Sequence, residues 1–358
     1  MIPTDCYALR APTILPNIRI SWCLRPTFML ILGRVTRSFY HSCASTRGVR
    51  PFDPGIFILV GRKKGDGVMH YDISFPHLGI TLDHVGKSVD LFGVSIAYYG
   101  IIIGMAILIG FAIATSEAKR TRQNPEDYLD MGIIGVIAGI AGARIYYVIF
   151  SWDMYKDDLL DIFNLREGGL AIYGGVIAAV LTVIVFAKVK KLSAAQIFDT
   201  AGLGLVLGQA IGRWGNFFNR EAFGGYTNNL FAMQIKLDEV GGVISDSVAN
   251  HIKVVNGIEY IQVHPTFLYE SLWNLCLFIG IMLYRKHKKF EGELASIYMI
   301  GYGIGRFFIE SLRTDQLVIK GIGIAISQVV SIILIIAGIT IIIRNRCKLR
   351  RDMKQSIQ

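Results

Sequence analysis

From residue 69 onward the chain alternates long apolar runs with short polar connections. The runs cover residues 92–114, 131–150, 169–187, 195–213, 266–284, 294–312 and 322–343. Each approaches the roughly 20 residues that a helix needs to cross a hydrocarbon core. The pattern predicts an all-α polytopic membrane protein with about seven transmembrane helices. Several runs are rich in glycine, as in residues 135–143 (GVIAGIAGA), and small residues let membrane helices approach closely. Residues 71–90 are mixed and read as interfacial. The longest polar segment, 214–264, holds the turn pairs Asn228-Asn229, Gly241-Gly242 and Asn256-Gly257, and it predicts a small extracytoplasmic lobe.

Charge sorts the connections. Lys119, Arg120 and Arg122 follow the first run, and Lys188, Lys190 and Lys191 follow the third. Arg285, Lys286, Lys288 and Lys289 follow the fifth, and Arg344, Arg346, Lys348, Arg350 and Arg351 follow the seventh. The loop after the second run instead holds Asp153, Asp157, Asp158, Asp161 and Glu167 against Lys156 and Arg166. By the positive-inside rule the odd runs end in the cytoplasm. That puts the N-terminus outside, the C-terminus inside and the lobe outside.

Residues 1–68 do not fit this pattern. They carry six of the nine prolines, three of the five cysteines and ten basic against three acidic residues, so seven of the ten net positive charges lie there. Their apolar pieces are too short to span. Lys64-Gly65-Asp66, just before Met69, is encodable by a purine-rich string of the kind that precedes a bacterial start codon. The expectation is that translation begins at Met69 and that 1–68 is a non-conforming leader. The domain reading is then 1–68 leader, 69–345 transmembrane domain with 214–264 as the lobe, and 346–358 basic cytoplasmic tail.

Composition adds little beyond this. Hydrophobic residues make up 53% and charged residues 18%, against about 25% charged in ordinary soluble domains. The basic excess belongs to the leader, so a nucleic-acid partner is excluded as a reading. Cys6, Cys23, Cys43, Cys276 and Cys347 show no metal or disulfide spacing, and neither a metal nor a cofactor is expected.

The candidate chemistry lies where charge interrupts apolar runs. A charge at the bilayer centre costs about 2.5–3.5 kcal/mol on the mildest scale, so such a residue is a functional candidate. Arg213 ends the fourth run, and Asn216, Asn219 and Glu221 follow it. Arg306 and Glu310 sit four apart in the sixth run, on one helix face, with Arg313 about a turn later. All approach the lobe side. Guanidinium groups fork onto phosphate oxygens and stay charged when buried, so their convergence suggests a phospholipid head-group site. Arg144, at the end of the second run, reads as a snorkelling side chain. Asp199 reads as either a site residue or a capping and packing residue. The G-G-L-A-I-Y-G-G run, 168–175, opens the third run and places Tyr173 between glycines that bring backbone close to a neighbour. Tyr98 and Tyr99 open the first run, and His264-Pro265 the fifth.

These strings resemble those of the prolipoprotein diacylglyceryl transferase family. The G-R-x-G-N-F-x-N-x-E-x-x-G signature is met throughout residues 212–224, and Tyr99-Gly100, 168–175, Asp199, H-P-T-F-L-Y-E at 264–270 and G-R-F-F-I-E-S-L-R at 305–313 follow in the family's order. Where some members carry a histidine between the paired glycines, this chain has Tyr173. The resemblance implies a multi-pass bacterial cell-membrane enzyme. It would transfer the diacylglyceryl group of phosphatidylglycerol to the lipobox cysteine of a preprolipoprotein that still carries its signal peptide. It also implies Arg213, Arg306, Tyr173 and Glu310 as catalytic residues, and Arg213, Asn216, Glu221, Gly224, Tyr99, Gly174, His264 and Arg313 as substrate-binding residues. His264 and Tyr173 both remain candidates for the base that takes the thiol proton. A phospholipid flippase or transporter is the alternative reading. It predicts charges near the midplane of several spans rather than gathered toward one face.

Overall fold

The computed structural model describes residues 71–165, 168–319 and 321–356. The 1–68 leader and its expected start at Met69 lie outside the described residues, as do Arg166 and Glu167. Among these residues seven long helices follow one another: α1 (Tyr98–Arg120), α2 (Pro125–Phe150), α3 (Ile172–Lys190), α4 (Ala194–Asn219), α5 (Thr266–Tyr284), α6 (Glu293–Glu310) and α7 (Ile326–Gln355). Among the described residues, six helices are long and apolar enough to cross a membrane. The other, α6, has 18 residues and carries Glu293, Arg306 and Glu310. The outer faces of the bundle present Ile137, Leu181, Val189, Leu283 and Ile336, the side chains expected against lipid. The chain is a multi-pass membrane protein.

Close helix contacts use the small residues that the sequence offers. A Cβ on Gly174 would collide with the Gly142 carbonyl and with Tyr146, so α2 and α3 touch backbone to backbone. A Cβ on Gly303 would lie 2.9 Å from the Ser331 carbonyl, which fixes α6 against α7.

The helix boundaries differ from the apolar runs in several places: α2 begins at Pro125 rather than 131, α7 continues to Gln355 through most of the segment read as a tail, and two further differences have a clear cause. The first run was expected to begin at 92, but residues 88–97 form a hairpin, β3 (Ser88–Leu91) with β4 (Val94–Ala97), paired Leu91 to Val94 across a two-residue turn. Phe92 and Gly93 both have positive φ, 52° and 80°, as a type I′ turn requires. Strand β4 is mostly apolar and runs straight into α1, which hides the boundary in the sequence. The fourth run was expected to stop at 213, whereas α4 continues to Asn219 because Phe217 is drawn into the core of the lobe.

That lobe is a five-stranded antiparallel sheet in the order β2-β1-β5-β7-β6. It joins β1 (Ile73–Phe75) and β2 (Ile80–Leu82), which precede α1, to β5 (Met233–Lys236), β6 (Lys253–Val255) and β7 (Ile258–Val263). Its core contains Ile73, Phe75, Met233, Ile235, Ile261 and Val263 together with Phe217 from the end of α4 and Phe267 from the start of α5. The sheet is thus anchored onto the two helix ends between which its chain runs. Arg220, just past α4 with a left-handed φ of 54°, is buried in the lobe and pairs with Glu239 at 2.7 Å.

The opposite end of the bundle is held by buried carboxylates. Asp199 accepts hydrogen bonds from the backbone N–H of Gly292 at 2.7 Å and Ala295 at 2.8 Å, and from Lys288 at 3.1 Å. It caps α6 from a neighbouring helix, which resolves the open reading of this residue toward capping. Glu117 meets Arg285 at 2.5 Å and also Arg120, while Glu293 pairs with Arg346. Replacing Asp199 by alanine strands two helix N–H groups and the Lys288 ammonium. The expected loss is about 1–3 kcal/mol of stability, read as a lower melting temperature in detergent, whereas an unchanged melting temperature would contradict the cap.

Candidate active site

Three neighbouring helices bring four ionisable groups into one chain just below the lobe. Arg213 (α4) has Nη2 2.6 Å from Oε1 of Glu270 (α5). Arg306 (α6) donates from Nη1 to Glu270 Oε2 at 3.0 Å, and its Nη2 lies 2.5 Å from Glu310 Oε2. Two guanidinium groups and two carboxylates alternate, so the set is neutral overall. The carboxylates are almost fully buried, whereas Arg213 and Arg306 retain 24% and 14% side-chain exposure. A buried charge left unpaired costs several kcal/mol, so each member depends on its neighbours. At 1.5 Å per residue Arg213, Glu270 and Arg306 lie roughly 6–9 Å inside the ends of their helices, whereas Glu310 is the last residue of α6. The lobe holds two of these ends through Phe217 and Phe267, four residues after Arg213 and three before Glu270.

A polar wall continues from this chain. Arg213 donates to Asn216 Oδ1 at 3.3 Å, and Asn216 and Asn219 donate to Glu221 Oε1 at 3.0 and 3.2 Å. Tyr99 lays its ring over α4 where Gly215 lacks a Cβ, which would otherwise lie 2.6 Å from the ring. Tyr173, in the first turn of α3, lies within electrostatic range of Arg306, Glu310 and Arg313. Gly224 makes a close crossing. A Cβ there would be 2.7 Å from the Leu312 carbonyl and 2.8 Å from His264, and Gly224 N–H donates to the His264 carbonyl at 3.0 Å. The signature loop, the start of α5 and the end of α6 are thereby joined at one point. Arg313 pairs in two places with Asp315, at 2.9 and 2.7 Å. Burial alone would raise the Asp315 carboxyl, but Arg313 outweighs it and holds the group below the usual range. Gly174 does not face this wall, because its α-carbon is taken up by the α2 contact.

One helical turn deeper lies a second polar layer. Gln209 donates to the Tyr298 hydroxyl at 2.9 Å, and the rings of Tyr298 and Tyr302 stack with centroids 5.6 Å apart. Asn274, fully buried, has no partner for either end of its amide among the described residues.

Sequence reasoning missed Glu270 as a site residue. Its signal was present, as a carboxylate one turn inside an apolar run, but its role as bridge depends on which helices are neighbours. It also misjudged Arg144. Rather than snorkelling, Arg144 is buried and donates to five main-chain carbonyls: Asp161, Ile162, Asn164, Gly168 and Gly169. The apolar pattern could not reveal that a polar loop folds back over this helix end.

His264 sits beside Asn229 and Tyr269, with Nδ1 3.4 Å from the Tyr269 hydroxyl. Burial pushes its imidazole down from the ordinary 6.5, so it is neutral at pH 7 and has a lone pair to offer. In the unfolded chain it protonates near 6.5, and in the fold only at lower pH. Protonation therefore favours the unfolded state, and stability is lost as pH falls below about 6.5. His264→Asn is expected to flatten the decline in melting temperature between pH 6.5 and 5, and an unchanged slope would contradict the burial cost.

The family model described as Prolipoprotein diacylglyceryl transferase matches residues 87–344. A relative from Clostridioides difficile (strain 630), named phosphatidylglycerol--prolipoprotein diacylglyceryl transferase, is 43% identical over 238 residues, covering 66% of this chain and 86% of its own. Relatives of the same name from Listeria welshimeri (44% over 248 residues, 69% of this chain and 85% of theirs) and Bacillus cytotoxicus (44% over 245 residues, 68% and 86%) are similar to it to the same degree. The chain belongs to the prolipoprotein diacylglyceryl transferase family.

Proposed function

We infer that this chain transfers the diacylglyceryl group of phosphatidylglycerol to prolipoproteins in the bacterial cell membrane, the reaction for which its relatives are named. The observation that carries this reading is the alternating chain Arg213–Glu270–Arg306–Glu310. Charged groups that stand near one end of apolar helices, with guanidinium edges still partly exposed, suit a lipid phosphodiester at the membrane surface. The positive-inside pattern puts that end, with its lobe, on the outer face. The charges at the other end of the bundle, Glu117, Asp199 and Glu293, bind helix ends to one another. Midplane charges of the kind a transporter or flippase would need are not found among the described residues, which favours the transferase over that alternative.

The finer chemistry follows from these positions. The acceptor is the lipobox cysteine of a precursor that still carries its signal peptide. Its thiol, ordinarily near pKa 8.5, must lose a proton before it can attack carbon. The sulfur attacks the terminal glyceryl carbon of the lipid. A C–S thioether bond forms, the C–O bond to phosphorus breaks, and glycerol phosphate leaves with the electron pair. Arg213 and Arg306 stabilise the charge that grows on that phosphate. Glu270 holds the two guanidinium groups at a fixed separation, and Glu310 orients Arg306 from the other side. Asn216, Glu221 and Tyr99 line the approach beside Arg213. Gly224, His264 and Arg313 join the loop to the helix ends. Neutral His264 and Tyr173 are the candidates to receive the thiol proton.

The test is transfer of labelled phosphatidylglycerol to a lipobox peptide by the purified chain in lipid. Label is expected on a peptide with Cys at the acceptor position, not on its Ser counterpart, with glycerol phosphate released. Arg213→Ala and Arg306→Ala are each expected to lower turnover on the order of a hundredfold or more. Wild-type turnover in either variant would remove that arginine from the mechanism.

A further inference from the structure

Arg144 has the chemistry of a phosphate ligand but none of its availability. A guanidinium has five N–H donors, and here all five are engaged. Nε donates to Ile162 O at 2.8 Å, Nη1 to Gly168 O and Gly169 O at 2.8 and 3.0 Å, and Nη2 to Asp161 O and Asn164 O at 2.6 and 3.0 Å. All the acceptors belong to the loop between α2 and α3. The Tyr155 ring lies 5.1 Å from the guanidinium carbon. The group therefore acts on the loop and not on a ligand.

Packing explains how only the start of this loop is held, where Tyr155 is buried beside the Tyr147 ring. Its 3-10 helix, Leu159–Phe163, contains no buried residue, and Leu160 and Phe163 are 78% and 81% exposed. What fixes the loop is the convergence of its carbonyls on one cation, at the C-terminal end of the 3-10 helix where carbonyl dipoles favour positive charge. Gly168 and Gly169, with φ of 87° and 75°, adopt the left-handed backbone that turns their carbonyls toward Arg144. A Cβ on Gly169 would collide with Nη1 of Arg144. Ala171 N–H then donates to the Ala143 carbonyl at 3.0 Å, beside Arg144 in sequence. Two residues on is Tyr173, within electrostatic range of Arg306 and Glu310.

We propose that Arg144 is a positioning residue for the transfer reaction: by capturing five loop carbonyls it sets the entry of α3 and so the place of Tyr173 against the ionic chain. This rests on the transferase reading and adds a residue that touches neither lipid nor thiol. A lysine at 144 keeps the charge but offers at most three donors without the planar fork, so it cannot reproduce the tether.

The test uses the full chain in phosphatidylglycerol-containing nanodiscs, with hydrogen exchange of the α2–α3 loop and transfer kinetics per folded molecule. Arg144→Lys is expected to raise exchange in that loop while the helices stay protected, and to lower kcat on the order of tenfold to a hundredfold. Gly169→Ala, which disturbs the tether from the loop side, is expected to do the same. In a double-mutant cycle, Tyr173→Phe should lower kcat in the wild-type background and have little further effect in Arg144→Lys, because the hydroxyl is already displaced. Three results would each overturn the proposal: a loop that stays protected in Arg144→Lys, wild-type turnover with the loop released, or effects of Arg144→Lys and Tyr173→Phe that simply multiply. A wild-type chain that transfers nothing would overturn the functional reading and the positioning role together, and loop exchange would then report on the tether alone.

Discussion

Two guanidinium groups set several ångströms inside apolar helices need a counter-charge between them, and Glu270 supplies it. Much of the architecture around the site meets that requirement. Glu270 reaches both arginines only if α5 lies between α4 and α6, close to each. The lobe enforces this by taking Phe217 from α4 and Phe267 from α5 into its own core. At the other end of the bundle, Asp199 reaches from α4 to cap α6, tying the two arginine-bearing helices there as well. The ionic chain is thus held from both ends of the helices that supply it.

This arrangement also divides the arginines by task. Arg213 and Arg306 are paired with carboxylates yet keep part of their surface open, and they can exchange a protein contact for a phosphate oxygen. Arg220 and Arg144 are closed. Arg220 is buried in the lobe against Glu239, and Arg144 has all five donors on carbonyls. The same side chain thus serves as a reactive group in two places and as a fastener in two others. What separates the roles is whether the guanidinium keeps an exposed edge.

The spans and the site differ in how far the sequence discloses them. Runs of apolar residues reveal α1 to α7 because solvation in lipid requires them, and charges within those runs stand out because they are costly. Arg213, Arg306 and Glu310 are legible for that reason. Glu270 is visible as a charge, but its bridging role comes from three helices distant in sequence. Arg144 misleads because a basic residue at a span end usually snorkels, and nothing local signals that Gly168 and Gly169 will turn their carbonyls back upon it. The sheet is hidden for a similar reason. Its β1 lies about 160 residues before β5, the strand it joins, and in the separate hairpin β4 merges with the apolar run of α1.

The claim that the carboxylate-bridged arginine pair reads an anionic lipid head group is tested most directly by binding without turnover. The full chain would be reconstituted in mixed phosphatidylglycerol and phosphatidylcholine, and the lipid it retains on extraction measured by native mass spectrometry, beside Arg213→Ala and Arg306→Ala. The wild-type chain is expected to retain phosphatidylglycerol in preference, and either folded variant to lose the preference. Equal retention of both lipids by the wild-type chain, or an undiminished preference in both variants, would contradict it.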